Sequence, residues 1–142
     1  MINYKDLMIG NWVYSSEKTK FPMRVVNVGE NYCYLDFEGN EGDVWEVEDK
    51  DMTPIDVTEE LLLKIGFKQV LIFKQYSIYE MTINDCFVEI IYNVSNSIDR
   101  DWSCHIDNAA YSTIGGFDFQ YLHELQNGIR LITKSDLEIK EL

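Results

Sequence analysis

The chain has 142 residues, enough for one domain or two very small ones, and 46% of them are apolar, so a real core is within reach. No apolar run approaches the roughly 18 residues that a membrane span needs. The net charge of −13 repels phosphate backbones and argues against ordinary nucleic-acid binding. That charge is local: residues 30–60 hold twelve acids and one base, Lys50, a net of −11. It reads as a solvated face, or as a surface for a basic partner. Nine tyrosines, seven phenylalanines and three tryptophans predict much sheet, because aromatic residues fit a pleated, half-buried surface.

In chain order, the first fifty residues predict four short strands. "NWVYS" (11–15) is the first and "PMRVVNV" (22–28) the second, its proline at a strand start where the missing N–H matters least. A turn at Gly29-Glu30 leads to "NYCYLDF" (31–37), in which Cys33, Leu35 and Phe37 share one face and Tyr32, Tyr34 and Asp36 the other. The turn "EGNEG" (38–42) leads to "DVWEVED" (43–49), with Trp45 and Val47 inward. Four strands at this spacing suggest a small, strongly bent barrel-like unit over residues 1–53.

Residues 54–142 predict an α+β unit. A helix spans about 58–65, capped by Asp56 or Thr58, with Leu61, Leu62 and Ile65 inward and Gly66 ending it. Strands follow at 67–74, 76–83, 86–92 and 102–106, with Asn84-Asp85 as a two-residue hairpin turn. Residues 93–101 are a polar loop. "AAYSTIGGFD" reads as irregular, broken at Gly115-Gly116. Asp118 then caps a helix over 119–133, whose inward stripe is Leu122, Leu125, Ile129 and Ile132. Gly128 inside that helix costs about 1 kcal/mol against alanine; close approach to a sheet would explain it. The tail "SDLEIKEL" forms a short strand or frays. The fold class expected is therefore α+β: a barrel-like unit, then an antiparallel meander packed with two helices.

Two resemblances bear on this. "LMIGNWVYS", "PMRVVNV" and "YCYLDF" resemble the opening of small Tudor- or KOW-type barrels, which implies a bent barrel of a kind that hosts many binding functions. "IGNWV", "PIDVTEELLLKIGF" and "YLHELQNGIRLIT" resemble small cytoplasmic proteins of Bacteroides-type gut bacteria. That likeness implies a bacterial cytoplasmic origin and carries no functional residues. "MINYKDLMIGNW" lacks the cationic start and apolar stretch of a signal peptide, and three cysteines without paired spacing predict free thiols in a reducing compartment.

The densest polar stretch is "DRDWSCHIDN" (99–108). If 102–106 is a strand, Trp102, Cys104 and Ile106 point one way, and Asp101, Ser103, His105 and Asp107 the other. Cys104 and His105 then cannot ligate one zinc, and parity places Cys33, Cys86 and Cys104 all inside. Asp101, His105 and Asp107, with His123 from the last helix, form the candidate set for metal binding or acid–base chemistry. A solvated sheet face has the same pattern, and His123 reads as a boundary residue. "DFEGNEGDVWEVE" (36–48) fails the calcium-loop pattern, because Glu41 and Val47 stand where glycine and glutamate are needed. No phosphate loop, nucleophile elbow or HExxH motif is present.

The function expected is a noncatalytic accessory protein that binds another protein with a basic surface, without a cofactor, nucleic acid or membrane. Tyr14, Tyr32 and Tyr34 beside acids are its expected contact surface, since a rigid ring with a polar tip suits interfaces. The alternatives are a small metal-dependent enzyme using Asp101, His105, Asp107 and His123, and an acidic decoy for a nucleic-acid-binding protein.

Overall fold

The structure is a computed structural model. It describes residues 2–36, 44–73, 75–93 and 101–142, and of Asp101 the backbone alone. Phe37, the turn at 38–42 and the polar loop at 94–100 lie outside the described residues.

The chain forms two compact units: residues 1–56 with 121–124, and residues 57–120 with 125–142. Among the described residues two antiparallel sheets, two α-helices and a short 3-10 turn at Tyr4–Asp6 make up an α+β protein.

The first unit carries a four-stranded sheet in sequential order, from β1 (Trp12–Tyr14), β2 (Pro22–Val28), β3 (Tyr32–Asp36) and β4 (Trp45–Glu48). Among the described residues β1 and β4 are not paired, so the closed barrel implied by the Tudor/KOW likeness is not formed. β2 bends instead at a bulge between Val25 and Asn27. The inner face buries Val13, Met23, Val25, Cys33 and Leu35, which pack with Ile2, Leu7 and Met52. Trp45 departs from the expected inward placement. Its parity matches that of Leu35, its cross-strand partner, but β4 is an edge strand and leaves the indole 55% exposed. Residues 121–124 join this unit through the backbone: Tyr121 bridges to Asp56, and the Leu122 N–H donates to the Ile55 carbonyl at 2.9 Å.

In the second unit α1 (Glu59–Lys64) starts at Thr58, whose Oγ1 accepts the Leu61 N–H at 3.1 Å. It ends in a left-handed glycine, Gly66, at φ +108°. There the Gly66 N–H bonds the Leu63 carbonyl and the Phe67 N–H that of Leu62, satisfying two of the carbonyls left open at the helix end. The five-stranded sheet runs β5 (Lys68–Ile72), β6 (Tyr76–Ile83), β7 (Cys86–Asn93), β8 (Asp101–Asp107), β9 (Thr113–Phe119), each antiparallel to the next. Asn84 and Asp85 both take positive φ, 49° and 59°, as a two-residue hairpin turn of matching twist requires. The Asn84 side-chain amide donates to the Thr133 carbonyl at 2.7 Å.

β9 is absent from the sequence expectation, and Gly115-Gly116 does not break the chain. The glycines permit contact: a Cβ on Gly115 would lie 2.7 Å from Ile132 Cδ1. Ile132 belongs to α2 (Leu122–Thr133). Likewise a Cβ on Gly128 would lie 2.3 Å from Phe117 Cζ, which is the close helix–sheet approach expected from a mid-helix glycine. Because β9 extends through Phe119, α2 starts at Leu122 rather than 119. Asp118 pairs with Ser103 in the sheet and is not the cap; the Tyr121 N–H is taken instead by Glu124 Oε2 at 3.0 Å. Leu125 and Ile129 are fully buried, as their stripe requires. The tail after α2 forms no strand, yet Leu137 and Ile139 are buried.

Candidate functional site

The row on β8 has the parity expected. Trp102, Cys104 and Ile106 are buried, while His105 is exposed and Asp107 half-buried. Cys104 and His105 therefore lie on opposite faces of the sheet. Burial, and to a smaller degree the charge of Glu89, push the Cys104 thiol up to about 12, so it is an inert hydrophobe and not a ligand. Cys33 is also buried, and burial first and then Asp49 raise its thiol. Cys86 departs from the expectation: it is half-buried, because it begins β7 beside the hairpin turn.

Register shows what the sequence alone did not. His105 stands opposite Glu89 on β7 and Gly116 on β9, and Glu89 stands opposite Glu80, itself opposite Lys68. Lys68, Glu80, Glu89 and His105 thus cross four strands on one face. Asp107 sits one step along and accepts a hydrogen bond from Thr113 Oγ1 at 3.0 Å. Asp101 pairs through its backbone with Asn93; its side chain lies outside the described residues.

His123 belongs to the other unit and is not a boundary residue: it is 4% exposed. Its ring stacks on Tyr121 with centroids 5.9 Å apart, and its Nδ1 has no hydrogen-bond partner among the described residues. Burial holds its pKa below the ordinary histidine value, against the opposing pull of the Glu124 and Asp6 carboxylates. Among the described residues no three His, Cys, Asp or Glu side chains are grouped to hold a metal ion.

The tyrosines lie on the outer face of the four-stranded sheet. Tyr32 and Tyr34 meet edge to face, with centroids 5.6 Å apart, a favoured aromatic geometry. The Tyr32 ring lies over Gly29, where a Cβ would come within 2.3 Å of its Cζ. Tyr34 faces Glu46 across the β3–β4 pair, and its hydroxyl donates to Glu46 Oε2 at 3.0 Å. That hydrogen bond and the carboxylate charge raise the phenol's pKa and hold it protonated. Glu48, opposite Tyr32, accepts an ion pair from Lys50 at 2.6 Å. Tyr14 is on the same face but in the row of Pro22, six residue steps from the row of Tyr32. At about 3.3 Å per step the two are roughly 20 Å apart along the strands. The structure therefore joins Tyr32, Tyr34 and Glu46 and sets Tyr14 apart.

Comparison of the chain with family models, curated proteins and solved structures found no match.

A third surface was missed by sequence periodicity. Phe73, Leu71, Tyr76, Ile78 and Ile91 are neighbours by register on the sheet face that also bears His105. Phe73 and Tyr76 touch, with ring centroids 4.8 Å apart. Four consecutive apolar residues, Val70 to Phe73, carry no period of two. Such a run reads as a strand buried on both faces. It is the sheet's edge, with every residue of β5 exposed; a run of apolar residues flanked by lysines was the available signal.

Proposed function

We propose that this chain is a noncatalytic accessory protein of the bacterial cytoplasm, and that it binds a protein partner with a basic surface through Tyr32, Tyr34 and Glu46. The observation that supports this most is the edge-to-face Tyr32–Tyr34 pair, held partly exposed over Gly29 and fixed to Glu46 by the Tyr34 hydroxyl. The rings are ordered before any partner arrives, so little side-chain entropy is lost on contact. Exposed carboxylates at Glu46 and Glu48 supply the rim charge that steers a basic surface. No membrane attachment enters the proposal; among the described residues no helix is long and apolar enough to cross a bilayer.

The test is affinity capture with the wild-type chain and with Tyr32→Ala/Tyr34→Ala, at low and high salt. A specific basic protein retained by the wild type, released by salt and lost in the double variant is expected. Identical sets of captured proteins from the two would refute the assignment.

A further inference from the structure

We propose that the free edge of β5 is a docking strand for an extended apolar segment, flanked by acidic residues, of a partner protein, which joins the five-stranded sheet as a sixth strand. Among the described residues β5 pairs only with β6. Natural sheet edges are blunted by charge, proline, bulges or cover; here Lys68 and a bulge blunt only the start of β5, and Ile72 is 72% and Phe73 50% exposed. The backbone is poised for pairing. The Phe73 N–H donates to the Tyr76 carbonyl at 2.8 Å, and antiparallel alternation then turns the N–H and C=O of Ile72 away from β6. A bulge between Gln69 and Leu71 interrupts the ladder, so the continuous edge open to a new strand begins at Leu71. Side chains of that strand on the face of Leu71 and Phe73 would rest on an apolar surface completed by Tyr76.

Charge selects the occupant. In the sequence, residues 61–79 hold Lys64, Lys68 and Lys74 and no acid, and Glu80, which stands opposite Lys68 in the sheet, makes no ion pair with it among the described residues. Lys64 and Lys68 are exposed and make no ion pair among the described residues. A cationic edge takes acidic flanks on the incoming strand. A second copy of this chain is the poorer occupant, because two β5 edges would bring lysine against lysine and two strongly anionic chains together.

The probe is a fluorescein-labelled peptide with a central Val-Ile-Val-Ile run flanked by glutamates, compared with its lysine-flanked counterpart, titrated with the full chain and read by anisotropy. The glutamate peptide is expected to bind at least tenfold more tightly. Ile72→Pro, which removes an outward donor that β6 does not use, should weaken it about tenfold, and Lys68→Glu about fivefold. Should Ile72→Pro fail to fold by circular dichroism, the exposed and uncharged substitution Phe73→Ser takes its place, with the same loss expected from the missing apolar contact. Tyr32→Ala/Tyr34→Ala should leave peptide binding unchanged, which separates this surface from the one proposed above. Equal binding of both peptides would overturn the assignment, as would no binding, or affinity untouched by the β5 variants. Sedimentation showing self-association that Ile72→Pro or Phe73→Ser abolishes would assign the edge to a second copy and also overturn it.

Discussion

Gly128→Ala isolates the contact that seats α2 on its sheet. In a free helix this change stabilises by about 1 kcal/mol, because glycine has the higher backbone entropy to lose. Here the added Cβ would stand 2.3 Å from Phe117 Cζ and 2.5 Å from both ring Cε atoms. Those distances lie more than 1 Å inside ordinary carbon contact, roughly 3.5–4.0 Å. The ring or the helix must move, and overpacking of this kind costs about 1–3 kcal/mol. Set against that propensity gain, the steric cost leaves an expected net loss of up to about 2 kcal/mol. With a urea slope of about 1–3 kcal/mol/M, each 1 kcal/mol lost lowers the unfolding midpoint by about 0.3–1 M. The decisive arm is the same substitution in a Phe117→Ala background. Without the ring, Gly128→Ala should turn stabilising by about 0.5–1 kcal/mol, a coupling of about 2 kcal/mol in the double-mutant cycle. A stabilising Gly128→Ala in the wild-type background would show that the helix does not need to approach Phe117 so closely.

Two further outcomes follow from buried titratable groups. His123 has its folded pKa below the ordinary 6.5, so the unfolded chain takes up the proton first as pH falls. Its contribution is therefore fully present above about pH 6.5 and is lost on acidification below it. Urea midpoints should fall less steeply from pH 7.5 to 5.5 in His123→Gln than in wild type, and parallel profiles would refute this placement of the imidazole. Among the cysteines, brief alkylation of the native chain at pH 8 should modify the half-buried Cys86 first and spare Cys33 and Cys104. Peptide mass spectrometry that finds Cys104 labelled as fast as Cys86 would contradict its burial.

What the sequence revealed, and what it hid, divides along the range of the interaction. Alternation of side chains is local, and it placed Cys104 and His105 on opposite faces and Cys33 with Leu35 before any pairing was known. The cap at Thr58, the stop at Gly66 and the hairpin at Asn84-Asp85 are equally local. Gly115-Gly116 misleads because weak strand propensity is local, whereas the need for bare backbone at Gly115 comes from Ile132, seventeen residues on. The missed β9 in turn shifted the start of α2, while His123 is buried because residues 121–124 belong with the first unit. Trp45 and β5 share one cause: strand order decides which strand is outermost, and no single strand encodes it. The candidate surfaces were legible only as residue types. That Tyr14 stands apart from Tyr32, and that Lys68, Glu80, Glu89 and His105 line up, depends on register between strands distant in sequence.

The hairpin at residues 84 and 85 also acts as a stopper. Asn84 plugs the carbonyl of Thr133, 49 positions later, where α2 runs out of internal donors. A designer guided by turn preference alone would be content with glycine at either place. At 85 it would relax a strained left-handed residue and leave everything else in place. At 84 it would uncork the end of a helix that the turn never meets along the chain, so two adjacent residues of one small bend tolerate the same replacement very differently.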